Sequence, residues 1–308
     1  MKSSGWTAAR LTQDGGRYNP AMPLRALLLS IALLLGGCQS AFFGAMNARQ
    51  SREGVVAHED IVYDEAHRTA LDIYVPAHAE HAPVVVYFYG GSWMTGKRHW
   101  FRWMGEALAA QGVVTIVADV RLWPTTRMDG FLHDGAEAVR WARDHAGEFG
   151  GDPANLFVMG HSSGGQIAAM LAMDKQWLAA VGMKPRDLSG FIGVAGTYDF
   201  IPFDEPEFYD IFGYTPGEQA RSQPVNFVDG DEPPALLLQG EKDTIVYPSE
   251  AVALEGRYLQ QGESVELKLY PALGHEKLLL AFGPLKNKAP VLADTMAFIR
   301  RYSGRLSH

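Results

Sequence analysis

The sequence predicts an α/β protein: a mostly parallel central sheet with helices on both faces. Three observations predict it. Short, β-branched apolar runs alternate with segments of helical periodicity from about residue 83 to the C-terminus. Those runs are continuously apolar, as strands covered on both faces are. The 308 residues carry no internal repeat or low-complexity linker, so a single domain is expected after the N-terminal region.

In chain order, "ALLLSIALLL" (26–35) comes first. It is too short to span a bilayer, which takes about 20 residues, and with Arg25 before it reads as the apolar core of an export signal. "LGGC" follows, ending at Cys38, the single cysteine of the chain. Small residues before that cysteine resemble a bacterial lipoprotein signal. The resemblance implies a leader over 1–37, a lipid on Cys38, and a protein anchored to a membrane rather than spanning it. Met22 would open a more compact leader and is the expected true start. Gln39, where Asp is absent, implies the outer membrane of the cell envelope, facing the periplasm. Residues 38–55 read as a tether, with Phe42, Phe43 and Met46 placed to dock as a short helix, and a domain over 56–308 follows.

"IVYDEAHRTALDIYVP" (61–76) reads as two strands around a polar turn. "PVVVYFYGG" (83–91) and "VVTIVAD" (113–119) read as central strands, separated by a helix over 98–112 that stops at Gly112. A long helix over 129–150 precedes the short strand "LFVM" (156–159), and a helix follows at 164–174. "GFIGVAG" (190–196), "PALLLQG" (234–240) and "VELKLY" (265–270) are three further strands, and 248–261 and 290–302 are helical. The irregular stretch 197–233 is long for a loop in a compact domain and rich in Phe and Tyr, which marks it as functional.

In open parallel sheets, ligands bind beyond the carboxyl ends of the strands. After "LFVM" comes Gly160-His161-Ser162-Ser163-Gly164. A nucleophile on a tight strand-to-helix turn needs small residues two before and two after it. Centring on Ser162 meets that need; centring on Ser163 puts His161 at a small position. Ser162 is therefore the candidate nucleophile, and the helix that follows directs N–H groups and positive partial charge at the site. A serine hydroxyl needs a base. Of ten histidines, His275 lies a few residues past the last strand. His78 and His81 form an H-x-x-H pair with no third ligand and read as exposed, so no metal is expected. The base needs an acid to fix its tautomer. Asp243 follows a strand and is the first candidate, Asp199 the second, and Glu241 reads as solvent-facing.

With these residues placed, the chain from about residue 60 onward resembles an α/β-hydrolase carboxylesterase. The resemblance is to the hormone-sensitive-lipase-like and feruloyl-esterase-like group, and kynurenine formamidases share much of the pattern. It rests on "YFYGGSW" (87–93), "ADVRL" (118–122), "GHSSGG" (160–165), "GTYD" (196–199), "GEKDTIV" (240–246) and "GH" (274–275), in that order. It implies the α/β-hydrolase fold, a Ser162–His275–Asp243 triad, an acyl-enzyme and no cofactor. The oxyanion donors are assigned to the backbone N–H groups of Gly91, Ser92 and Ser163. One position departs: the family's His-Gly-Gly stands here as Tyr89-Gly90-Gly91.

A net charge of -8 and the lack of a long basic stripe exclude a nucleic-acid binder. Lys97, Arg98 and Arg102, interleaved with Trp100, Phe101 and Trp103, read as a half-buried helix start. The expected reaction is hydrolysis of a small-molecule carboxylic ester with small or aromatic groups, since Trp93, Met94 and Trp123 are placed to line a pocket. The same triad would serve an arylformamidase or other amidase. A catalytically silent envelope binding protein is the reading from another class, to which only Tyr89 points.

Overall fold

The computed structural model describes residues 39–304. The expected leader over 1–37 and Cys38 lie outside the described residues. The chain divides into two compact units, Met1–Phe42 and Phe43–His308. Of the first, residues 39–42 are described, and they are helical. Among the described residues no helix is long and apolar enough to cross a membrane.

The second unit is built on one eight-stranded sheet in the order β1-β2-β4-β3-β5-β6-β7-β8. Its strands are β1 (Val55–Asp64), β2 (Thr69–Pro76), β3 (Ala82–Phe88), β4 (Val114–Ala118), β5 (Gly151–His161), β6 (Gly190–Val194), β7 (Ala235–Gly240) and β8 (Val265–Tyr270). The first hairpin is antiparallel and β2 also meets β4 antiparallel; every other pairing is parallel. The chain is thus an α/β fold with a mostly parallel sheet. The first strand starts at Val55, six residues before the expected hairpin. Those added residues, "VVAHED", lie largely exposed on an edge strand, so they lack the apolar run by which the central strands are recognised.

The central strands show why their sequences are apolar throughout. On β3, Val84, Val86 and Phe88 pack into one core, and Val85 and Tyr87 into the other. Successive side chains alternate between faces, and both faces are covered. On the first face lie α3 (Met128–His145), α4 (Ser163–Met173), α5 (Lys175–Ala180) and α8 (Pro248–Gln261). On the second lie α2 (Arg102–Ala109), α9 (His275–Leu280) and α10 (Val291–Tyr302). The helix over residues 39–49, here α1, continues into this unit, where Met46 is buried and Phe43 stacks on Trp100 at 5.3 Å. Asn47 also joins the start of α2, accepting the N–H of Trp103 at 3.0 Å. Residues 43–49 are therefore a packed helix, carried by the apolar pair Phe43 and Met46 one turn apart.

The parallel register sets the carboxyl ends of four strands side by side. Phe88 pairs with Gly160, His161 with Val194, and Val194 with Leu238. The segments leaving β3, β5, β6 and β7 converge there. The long connection after β6 is less irregular than its sequence suggests: it holds α6 (Pro206–Phe212) and α7 (Pro216–Arg221), each opened by a proline in the first turn.

Candidate active site

Ser162 stands between the last residue of β5 and the first of α4, with φ 55° and ψ -125°. An L residue adopts that conformation only under strain, which marks sites where a side chain is held out of the chain's path. The turn closes because its flanking glycines touch. A Cβ on Gly160 would lie 2.0 Å from the carbonyl oxygen of Gly164, and one on Gly164 would lie 2.2 Å from that of Phe88. Both spacing positions must therefore be glycine when Ser162 is central. The backbone N–H of Ser163 is the first of α4, where the helix supplies no acceptor.

His275 opens α9, and its Nδ1 meets Asp243 Oδ2 at 2.8 Å. The loops carrying the two are tied together: Lys242 donates its N–H to the carbonyl of Leu273 at 2.9 Å. Asp243 is fixed from both sides. Its Oδ1 accepts the N–H groups of Ile245 and Val246, each at 2.9 Å, and its Oδ2 also accepts from Gln239 Nε2 at 3.2 Å. Burial alone would raise the Asp243 pKa. The His275 hydrogen bond and charge, with the two backbone donors, outweigh burial and hold the carboxyl below its usual range. With Nδ1 engaged by the carboxylate, Nε2 of His275 is the nitrogen left to take a proton. Asp199 has no such role: it lies at the mouth of the cleft, and only its backbone N–H is engaged, by Glu250. Glu241 is exposed, as expected.

The turn after β3 lies against Ser162: a Cβ on Gly90 would sit 2.9 Å from that of Ser162. Gly91 has φ 144°, Ser92 54° and Trp93 58°, and the carbonyl of Gly91 accepts the N–H groups of Met94 and Thr95 at 3.0 Å each. Ser92 and Ser163 line the cleft beside Ser162, and Gly91 directly precedes Ser92. Tyr89 anchors this turn. Its hydroxyl donates to Asp119 Oδ1 at 2.6 Å, and its ring stacks on Phe101 at 5.1 Å. Asp119 also accepts the backbone N–H of Arg98 at 2.9 Å, and the Arg98 guanidinium reaches Asp72, Asp119 and Asp60. Burial, reinforced by Asp119, raises the Tyr89 pKa well above its ordinary value, so the phenol keeps its proton and donates.

His161 faces away from the cleft, its ring 4.8 Å from that of His275. Burial, reinforced by His275, lowers its pKa far enough to keep it neutral.

The cleft at Ser162 has a volume of about 520 Å³. Trp93 lines it, as expected. Met94 and Trp123 do not: they line a separate hollow with Asp119 and Arg121. The reason is local. The two left-handed residues Ser92 and Trp93 reverse the chain, so Met94 leaves on the far side, and Trp123 follows it through its N–H bond to the carbonyl of Trp93 at 2.9 Å. The remaining walls come from the segment after β6, where Phe200 and Phe208 pack on the Trp93 indole at 5.5 and 5.3 Å.

Two further residues shape the site and were not singled out from sequence. Gln166 is fully buried; it accepts from the Trp93 indole at 3.1 Å and donates to the carbonyl of Ser222 at 3.0 Å, locking wall to helix. Its signal is a lone amide in the apolar helix "GGQIAAML". Glu250 lines the cleft from the first turn of α8, and nothing in "YPSEA" marks it as buried. Among the described residues one acidic group gathers donor atoms within 4.8 Å, that of Asp64, His67 and Asp134. Asp134 there already binds the Arg121 guanidinium at 2.7 Å, which supplies the positive charge a metal would.

The BD-FAE family model matches residues 71–258. The isoprenylcysteine alpha-carbonyl methylesterase of Arabidopsis thaliana is 24% identical over 306 residues, covering 92% of this chain and 70% of that protein. The esterase LipC of Mycobacterium tuberculosis is 29% identical over 190 residues, 55% of this chain and 46% of its own. Among solved structures, a Thermogutta terrifontis esterase aligns with a TM-score of 0.67 at 23% identity, over 82% of this chain and 94% of its own. Esterase B from Lactobacillus rhamnosis aligns at 0.74 with 21% identity, over 91% and 98%. The fold is that of the α/β-hydrolases. The chain belongs to the BD-FAE family, as a carboxylic ester hydrolase.

Proposed function

We propose that the protein is a serine carboxylesterase in which Ser162 attacks the acyl carbonyl, His275 accepts its proton through Nε2, and Asp243 orients and stabilises the imidazolium. The backbone N–H groups of Gly91, Ser92 and Ser163 stabilise the oxyanion. His275 then returns the proton to the leaving alcohol, and water repeats the cycle on the acyl-enzyme. The observation that carries this reading is the strained Ser162 at the cleft, together with the 2.8 Å His275–Asp243 pair on the neighbouring loops. Phe200, Phe208 and Trp93 favour small or aromatic groups in the cleft. The test is turnover of p-nitrophenyl acetate. Ser162→Ala and His275→Ala should each lower kcat by about 10⁴ or more with the fold intact; turnover unchanged in either variant contradicts the assignment.

We also propose that the enzyme works at the cell envelope, held by a lipid on Cys38 in the outer membrane. The apolar run 26–35, the small residues before Cys38 and the absence of any second cysteine support this. Cys38→Ala should move the protein from the membrane fraction to the soluble one; a membrane-bound variant contradicts the anchor.

A further inference from the structure

Every charged side chain that lines the cleft is acidic: Asp199, Asp204, Glu205 and Glu250. Among the described residues none of the four forms an ion pair. Two other buried carboxylates are matched by guanidinium groups, Asp72 by Arg98 and Asp134 by Arg121. Three of the four stand exposed at the mouth, where solvent screens them. Glu250 is different. It is 7% exposed, and its Oε2 accepts the N–H groups of Tyr198 at 2.8 Å and Asp199 at 3.2 Å. Among the described residues its Oε1 accepts no hydrogen bond, and it is open to the solvent of the cavity that Glu250 lines. Solvent in the cavity meets that oxygen, and a cationic ligand group can displace the water there. Aromatic rings line the same cleft, Phe200 and Phe208 among them, with Tyr247 61% exposed. Ring faces and carboxylates together form the environment that attracts an organic cation.

We propose that the cleft selects esters bearing a cationic group, an ammonium or quaternary ammonium, with Glu250 Oε1 as the seat of that charge. The aromatic walls hold its alkyl groups, and the three exposed acids draw the cation to the mouth and repel anionic esters. The inference rests on the serine-esterase reading of the same cleft.

The test compares acetylcholine, the acetate ester of choline, with its uncharged isostere 3,3-dimethylbutyl acetate, in which a tert-butyl group replaces trimethylammonium. Dissociation constants are measured on full-length Ser162→Ala protein, which binds without turnover, by the fluorescence of Trp93 and its neighbours. The cationic ester should bind at least about tenfold more tightly, an advantage that shrinks as salt is raised. Glu250→Gln in that background should bring the two constants together, and Asp204→Asn with Glu205→Gln should lower the advantage less. Equal binding of the two esters, or tighter binding of the neutral one, overturns the proposal. Wild-type turnover of both esters is recorded separately. Preferential cation binding without turnover by the wild type would sink the esterase reading and leave the cation seat standing.

Discussion

At the scale of single residues, the site is decided by how each polar group is matched. Asp243 is fully matched, with two backbone donors, one amide and His275. Asp243→Asn would keep the shape and present the wrong partner to Nδ1, so kcat should fall by about 10⁴ while the protein stays folded; near-normal kcat would show that the carboxylate is not what orients His275. Glu250 is the reverse case. Burial, then repulsion from Asp199 and Asp243, outweighs the two backbone donors and raises its pKa to about 7, against the usual 4.5. A carboxyl whose folded pKa lies above its unfolded one favours the fold when protonated. That contribution is whole below the unfolded pKa and lost as pH rises through the folded one. Glu250→Gln should therefore stabilise the protein by on the order of 2 kcal/mol near pH 8.5 and by almost nothing near pH 4, read by urea unfolding; equal stability at the higher pH would show that Glu250 is not strained by its surroundings. None of this was legible in the sequence, because "YPSEA" looks like an ordinary exposed helix start. The register of the turn was legible, because only Ser162 at its centre places glycine at both contact positions.

At the scale of elements, three connections carry the chemistry, and they differ in how far sequence foretells them. The β5–α4 turn is specified by Gly160 and Gly164, whose Cβ atoms would fall within about 2 Å of backbone oxygens. Gly164→Ala should cost about 3 kcal/mol or fail to fold, because the obstruction is backbone and cannot swing away. The turn after β3 was readable as a glycine-containing loop beyond a strand end, yet the fate of Met94 and Trp123 was not. It depends on the left-handed pair Ser92 and Trp93, neither of which announces that conformation. Tyr89 in place of histidine is answered at this scale too: its hydroxyl holds Asp119 and through it Arg98, joining the segments that leave β3 and β4 to the helical turn before α2. Tyr89→Phe should lower stability by about 1 kcal/mol and reduce kcat more than it changes KM, since the turn it supports holds the proposed oxyanion donors. A raised KM with unchanged kcat would place Tyr89 in substrate binding instead. The third connection, between β6 and β7, read as an irregular aromatic loop. Its two short helices bring Phe200, Phe208 and Phe212 onto Trp93, which turns a compositional signal into one wall of the cleft.

At the scale of the whole molecule, strand order does the assembling. Because β5 pairs with both β3 and β6, and β6 with β7, residues separated by more than 180 positions in the chain meet at one sheet edge. The apolar strands made this sheet readable. The edge strand β1 was only half visible, since an exposed edge needs no continuous apolar run. The net charge of -8 gives the molecule an overall acidic field, and the four unpaired carboxyls concentrate it at the cleft. All of this converges on one serine, and covalent labelling by a fluorophosphonate, mapped by peptide mass, asks about it most directly. A single adduct on Ser162 is predicted in the wild type and in Ser163→Ala, with none in Ser162→Ala. An adduct on Ser163, labelling that survives in Ser162→Ala, or a folded wild type that takes no label would contradict the account.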